Sequence, residues 1–135
     1  MIFFFDACVS RYAAYMLEHF DRNHQMRASV DHFKEGTPDT EWMPVVASWG
    51  DDVVVVSGDG RILRNKAERQ VLKECRRTFV CLAPVWPKLP WEEYAWRFVR
   101  VWPDITKNVQ QARYPMVFEV SHNLKGQSIG RIDQL

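Results

Sequence analysis

The run Ile2-Phe3-Phe4-Phe5 is apolar without interruption and stops at Asp6. A strand with one wet face alternates apolar and polar residues, so a run without alternation must be covered on both faces. Val53-Val54-Val55-Val56 has the same character and lies between Asp51-Asp52 and Ser57-Gly58-Asp59-Gly60. Two such segments call for a parallel sheet with helices on either side.

The rest of the chain supplies those helices. Val9, Tyr12, Ala13, Met16, Leu17 and Phe20 follow a helical rhythm, with Ser10 as a candidate N-cap. Arg27 to Phe33 reads as a second strand and Lys34 to Pro38 as a loop. Trp42, Val45, Val46 and Trp49 then predict a helix that Asp39 opens and Gly50 ends, with Pro44 a bend in its first turns. Asn65 with Glu68 resembles a capping pair ahead of a stripe of Ala67, Val71, Leu72 and Cys75.

Thr78 to Ala83 is a short strand, and the prolines from Pro84 to Pro90 make a stiff connector. A helix follows from Trp91, carrying Tyr94, Ala95, Phe98 and Trp102, with Pro103 near its end. Met116, Phe118 and Val120 alternate as a half-buried edge strand. The order predicts one three-layer α/β/α domain over residues 1–135 with a mostly parallel sheet. Its core is 1–83, followed by connector, helix and edge strand over 84–121 and a tail over 122–135.

Composition narrows the function classes. A formal net charge of +1 sets up no global field toward nucleic acid or an acidic membrane. Cys8, Cys75 and Cys81 lack the spacing of a zinc site and are odd in number, which fits free thiols in a reducing cytoplasm. The first apolar run has no basic flank and is too short to span a bilayer, so neither a signal peptide nor membrane association is expected.

In open α/β sheets the strand C-termini gather at one edge, where ligands bind. Asp6 and Asp59 should project there, and Asp39 should face it from a helix start. Three carboxylates at one site repel, and a hard divalent cation is the usual compensation. Asp also forms caps and turns, so that reading stands beside the metal site.

The order of these residues resembles the PIN-like domain family. The resemblance is carried by the first strand with Asp6, by Ser10 opening a helix, by Pro38-Asp39-Thr40-Glu41, and by Val53–Val56 running into Ser57-Gly58-Asp59. It is similar to the VapC-type toxins and more closely to a compact PIN-like branch, over roughly residues 1–83. The resemblance implies an endoribonuclease using Mg²⁺ or Mn²⁺, with Asp6, Asp39 and Asp59 as catalytic metal ligands. Ser57, Ser10 and Glu41 would be supporting residues. It also implies an RNA substrate, a protein antitoxin and a possible homodimer.

The chain departs from the family pattern in two ways. Arg61 stands where many relatives carry another Asp, which favours a module that binds RNA or protein without cutting. The acid that usually precedes the second helix is either Glu35 or Glu41. A phosphatase with an Asp nucleophile would need a second Asp where Cys8 stands, and a receiver domain would need paired early acids.

From Arg61 to Arg77 basic residues outnumber acidic ones. Arg61 and Arg64, nearest the acids, are the candidate RNA contacts, while the remainder can equally be a solvated helix face. Trp86, Trp91 and Trp96 offer stacking surfaces for bases, or else core or protein interface.

Overall fold

The two unbroken apolar runs become neighbouring central strands in a computed structural model that describes residues 1–123 and 129–134. Strands β1 (Ile2–Phe5) and β3 (Val53–Ser57) pair in parallel from Ile2↔Val53 to Phe5↔Val56. Adding β2 (Gln25–Ala28), β4 (Thr78–Leu82), β5 (Met116–Val120) and β6 (Ile129–Gln134) gives one sheet in the order β2-β1-β3-β4-β5-β6. Only the β5–β6 pair is antiparallel. The connecting helices are α1 (Arg11–Phe20), α2 (Asp39–Ala47), α3 (Lys66–Cys75) and α4 (Trp91–Gln111).

Side chains of successive strand residues go to opposite faces. Phe3, Phe5, Val54, Val56, Val80 and Leu82 pack with residues of α1 and α4, such as Leu17, Phe98 and Trp102. Phe4, Val53, Val55, Phe79 and Cys81 pack with Trp42, Met43 and Val46 of α2 and with Leu72 of α3. This is the three-layer α/β/α arrangement that non-alternating strands require. Among the described residues no helix is long and apolar enough to cross a membrane.

Several boundaries differ from the sequence expectation. The second strand is Gln25–Ala28 rather than Arg27 to Phe33, because β1 offers only Ile2–Phe5 as partners. Beyond Ala28 the chain turns into a 3₁₀ segment, Ser29–Asp31. Pro103 does not end α4, which continues to Gln111. An internal proline costs ~3 kcal/mol. The burial of Trp102, Ile105 and Val109 around and beyond it returns about 1.5–3 kcal/mol per side chain.

The segment 122–135, read as a tail, contains β6. Met116–Val120 is therefore an interior strand, flanked by β4 and β6, and not an edge. Residues 124–128 and 135 of that segment lie outside the described residues. Trp86, offered as a stacking surface, is fully buried, and its indole Nε1–H donates to the Val120 carbonyl at 2.9 Å.

Candidate active site

The winding reverses between β1 and β3, since β2 lies on one side of β1 and β3 on the other. Asp6 stands at that reversal, the point where open α/β sheets bind ligands. Its backbone N–H donates to the Val56 carbonyl at 2.9 Å, carrying the ladder one step past β1 and placing its side chain opposite Ser57. Ser57, completely buried, donates from Oγ to Asp6 Oδ2 at 2.9 Å and accepts from the Asp59 N–H at 3.1 Å. One hydroxyl thus links the ends of the two central strands.

Asp6 is 7% exposed. Its Oδ1 accepts from the Ala7 N–H at 2.6 Å, and the Cys8 thiol donates to Oδ2 at 3.4 Å. Among the described residues no Arg, Lys or His pairs with it. Its charge is thus met by three hydrogen-bond donors and by no cation, where buried charges are usually paired as well.

That charge is felt by Asp39, the first residue of α2. Burial first, and then the charge of Asp6, push the Asp39 carboxyl up to about 6. Glu68 and Asp59 push the same way, and a hydrogen bond from the Trp42 indole at 2.8 Å opposes them. Crowded acids of like charge behave in this way.

Asp59 is arranged differently. Its carboxylate caps the 3₁₀ turn Gly60–Leu63 by accepting from the Arg61 N–H at 3.0 Å. The Arg61 guanidinium adds Nε to Oδ1 at 2.9 Å and a second N–H to Oδ2 at 3.0 Å. These bonds hold the Asp59 carboxyl below its ordinary range. Arg61 therefore faces its own acid, while Arg64 remains exposed on the surface beside it.

Of the supporting residues, Ser57 orients Asp6, and Ser10 caps α1 by accepting from the Tyr12 N–H at 3.3 Å. Glu41 is exposed in the first turn of α2. Glu35, not Glu41, lines the cleft of about 530 Å³ that also contains Asp6, Cys8 and Ser10. Arg77, part of the basic stretch, is structural: it donates to the carbonyls of Gly50 at 2.9 Å and Ala47 at 2.8 Å.

Two site residues escaped the sequence reading. Glu68 acts on Asp39 from the first turn of α3. Its signal was present, since a crossover helix begins at the same sheet edge as the strand ends, but the capping pattern absorbed it. Cys8, expected only as a free thiol, is exposed as a residue, yet its sulfur accepts from the Gly58 N–H at 3.2 Å and meets Ser57 Oγ at 3.3 Å. Burial of the thiol and the charge of Asp6 raise it to about 11, which leaves little thiolate at neutral pH.

Among the described residues no three His, Cys, Asp or Glu side chains are grouped so as to hold a metal ion between them.

Comparison with known protein families gives the class to which this fold belongs. The profile described as "PIN like domain" matches residues 1–84, and the chain belongs to that family. PIN domains are in general nucleases, bind nucleic acids and typically use divalent metals. The matched region ends just after β4, so α4, β5 and β6 lie outside it. No curated protein matches the chain, and no solved structure matches it.

Proposed function

We propose that the protein is a metal-dependent endoribonuclease. The observation that carries this reading is the buried Asp6 carboxylate without a cationic partner, together with an Asp39 whose carboxyl is raised by burial and by the charge of Asp6. Asp6 and Asp39 would hold Mg²⁺ or Mn²⁺, and such an ion would supply Lewis-acid stabilisation of charge on the phosphodiester.

The chain's own residues prepare that site. Ser57 and Cys8 fix the Asp6 carboxylate from one side, and the Ala7 N–H fixes it from the other. The Trp42 indole holds Asp39. Asp59 joins the set when its carboxylate leaves Arg61, and that guanidinium, with Arg64, is then available to an RNA phosphate.

The test is cleavage of an RNA by the purified chain with Mn²⁺, against Asp6→Asn. Loss of at least about 100-fold in rate is expected, because losing a ligand should exceed the 10–100-fold cost of disturbing residues behind one. Equal cleavage by both proteins would end the proposal. Within this reading the chain is a VapC-type toxin of the cytoplasm, neutralised by a protein antitoxin. Co-purification with the product of an adjoining gene tests that step, and sedimentation of the chain alone tests for a homodimer.

A second reading is favoured by the Arg61 clamp on Asp59: a PIN-like module that has lost catalysis and binds RNA or protein. Titration with Mn²⁺ separates the two, since a pure binding module shows no Asp6-dependent uptake.

A further inference from the structure

The cleft that contains Asp6 is also lined by Arg11, Tyr12, Phe33 and Lys34. Tyr12 is 60% exposed, and Trp91, the first residue of α4, is 44% exposed. Their rings meet edge to face, with centroids 6.2 Å apart at 71°. Neither ring is needed to complete the core beneath it, where Tyr94, Phe98 and Trp102 are already buried.

The position of this pair is nevertheless fixed. Trp91 stacks on Tyr94 at 5.8 Å, Tyr94 on Phe98 at 5.7 Å, and Phe98 on Trp102 at 6.0 Å. Trp102 in turn stacks on Phe5, the residue before Asp6, at 6.1 Å. A continuous aromatic ladder therefore runs from Phe5, the residue before Asp6, to Trp91, whose ring meets Tyr12 of the cleft lining.

Charges of both signs accompany the rings, since Arg11 and Lys34 share the lining with Asp6 and Glu35. The Arg11 guanidinium lies 5.6 Å from the Tyr12 centroid, and Lys34 lies in the same cleft lining. Flat faces that bear no hydrogen-bond code, flanked by cations, suit unpaired nucleotides. Any base stacks on them while the cations meet the phosphates.

We propose that Tyr12 and Trp91 form a stacking platform for two successive unpaired nucleotides next to the phosphodiester held at Asp6, with Arg11 and Lys34 contacting their phosphates. It rests on reading that cleft as the ribonuclease site. The perpendicular setting of the rings gives each its own base rather than one base sandwiched between them. A nucleic acid rather than a protein surface is their occupant because PIN-like domains bind nucleic acids and the rings adjoin the cleft in which Arg11 and Lys34 stand beside Asp6.

The experiment measures binding apart from cleavage. Fluorescence anisotropy of a labelled 12-nucleotide single-stranded RNA is followed with the full chain in EDTA, and a hairpin duplex of the same length is the control. Trp91→Leu and Tyr12→Leu should each weaken single-strand binding about tenfold, the cost of losing one stacked base. Trp91→Phe and Tyr12→Phe should retain it, and thermal unfolding of every variant separates loss of the Trp91 stack on Tyr94 from loss of RNA contact. Arg11→Ala should reduce the salt dependence of binding, and the Leu variants should not.

Leu variants that bind like the parent would overturn the platform, as would a parent chain that binds no single strand. Leu variants that lose self-association but keep RNA affinity would assign the rings to a protein contact and overturn it equally. A chain whose binding depends on these rings but that never cleaves with Mn²⁺ would remove the nuclease reading alone.

Discussion

Replacing Asp39 by Asn is expected to stabilise the metal-free protein at pH 8 and to leave it nearly unchanged at pH 4. The Asp39 carboxyl is raised from 3.8 to about 6 by burial and by Asp6. Between those values the folded chain binds more protons than the unfolded one. Stability therefore falls as pH rises through that window and stays lower above it. The displacement is worth at most about 3 kcal/mol, and solvent screening at this partly exposed carboxyl brings it to about 1 kcal/mol.

Asn retains an Oδ1 that accepts from the Trp42 indole, so the substitution removes charge without removing that bond. Urea unfolding in EDTA at pH 4, 6 and 8, followed by Trp fluorescence, reads the difference directly. The melting temperature of the variant should exceed that of the parent by about 3 °C at pH 8. Mn²⁺ should invert the order, since a ligand at 100 times its Kd adds about 2.7 kcal/mol to the parent alone. A variant no more stable than the parent at pH 8 would refute the argument that Asp39 is held in a crowded, uncompensated field.

Other substitutions probe the supports. Ser57→Ala deletes the donor to a buried carboxylate and the acceptor of the Asp59 N–H; a loss of about 2–4 kcal/mol in urea unfolding is expected, with Mn²⁺ affinity down 10–100-fold by calorimetry. Arg61→Ala should let the Asp59 carboxyl rise toward its ordinary range in carboxyl NMR. The stability Arg61 contributes is present at neutral pH and disappears as pH falls through the depressed titration of Asp59. Cys8, raised to about 11 from 9.0, should alkylate at neutral pH roughly 100-fold more slowly than an ordinary thiol, and Asp6→Asn should speed it, as mass spectrometry can follow. Trp86→Ala should cost about 3–5 kcal/mol, and Trp86→Phe much less, since only the bond to Val120 and part of the ring are lost.

What the sequence determined by itself is the centre of the molecule. An apolar run without alternation can exist only between two layers, so Ile2–Phe5 and Val53–Val56 already implied a covered parallel sheet. Asp6 at the end of one run, Ser57 closing the other and Asn65 capping a helix were legible because each is a local signal. Asn65 does accept from the backbone N–H groups of Ala67 and Glu68 at 3.0 and 3.1 Å.

The tertiary structure decided everything that depends on a distant partner. The extent of β2 follows from the length of β1, and the course of α4 through Pro103 follows from the sheet beneath it. Ile129–Gln134 becomes a strand only because β5 offers a free edge, and its own register is interrupted opposite Val117 and Phe118. The same holds at the site. The sequence put three acids at one sheet edge, but only packing left Asp6 buried without a cation and set Glu68 to act on Asp39. Charge compensation is settled by which groups end up close and dry, and that is a property of the assembled fold rather than of any local stretch of chain.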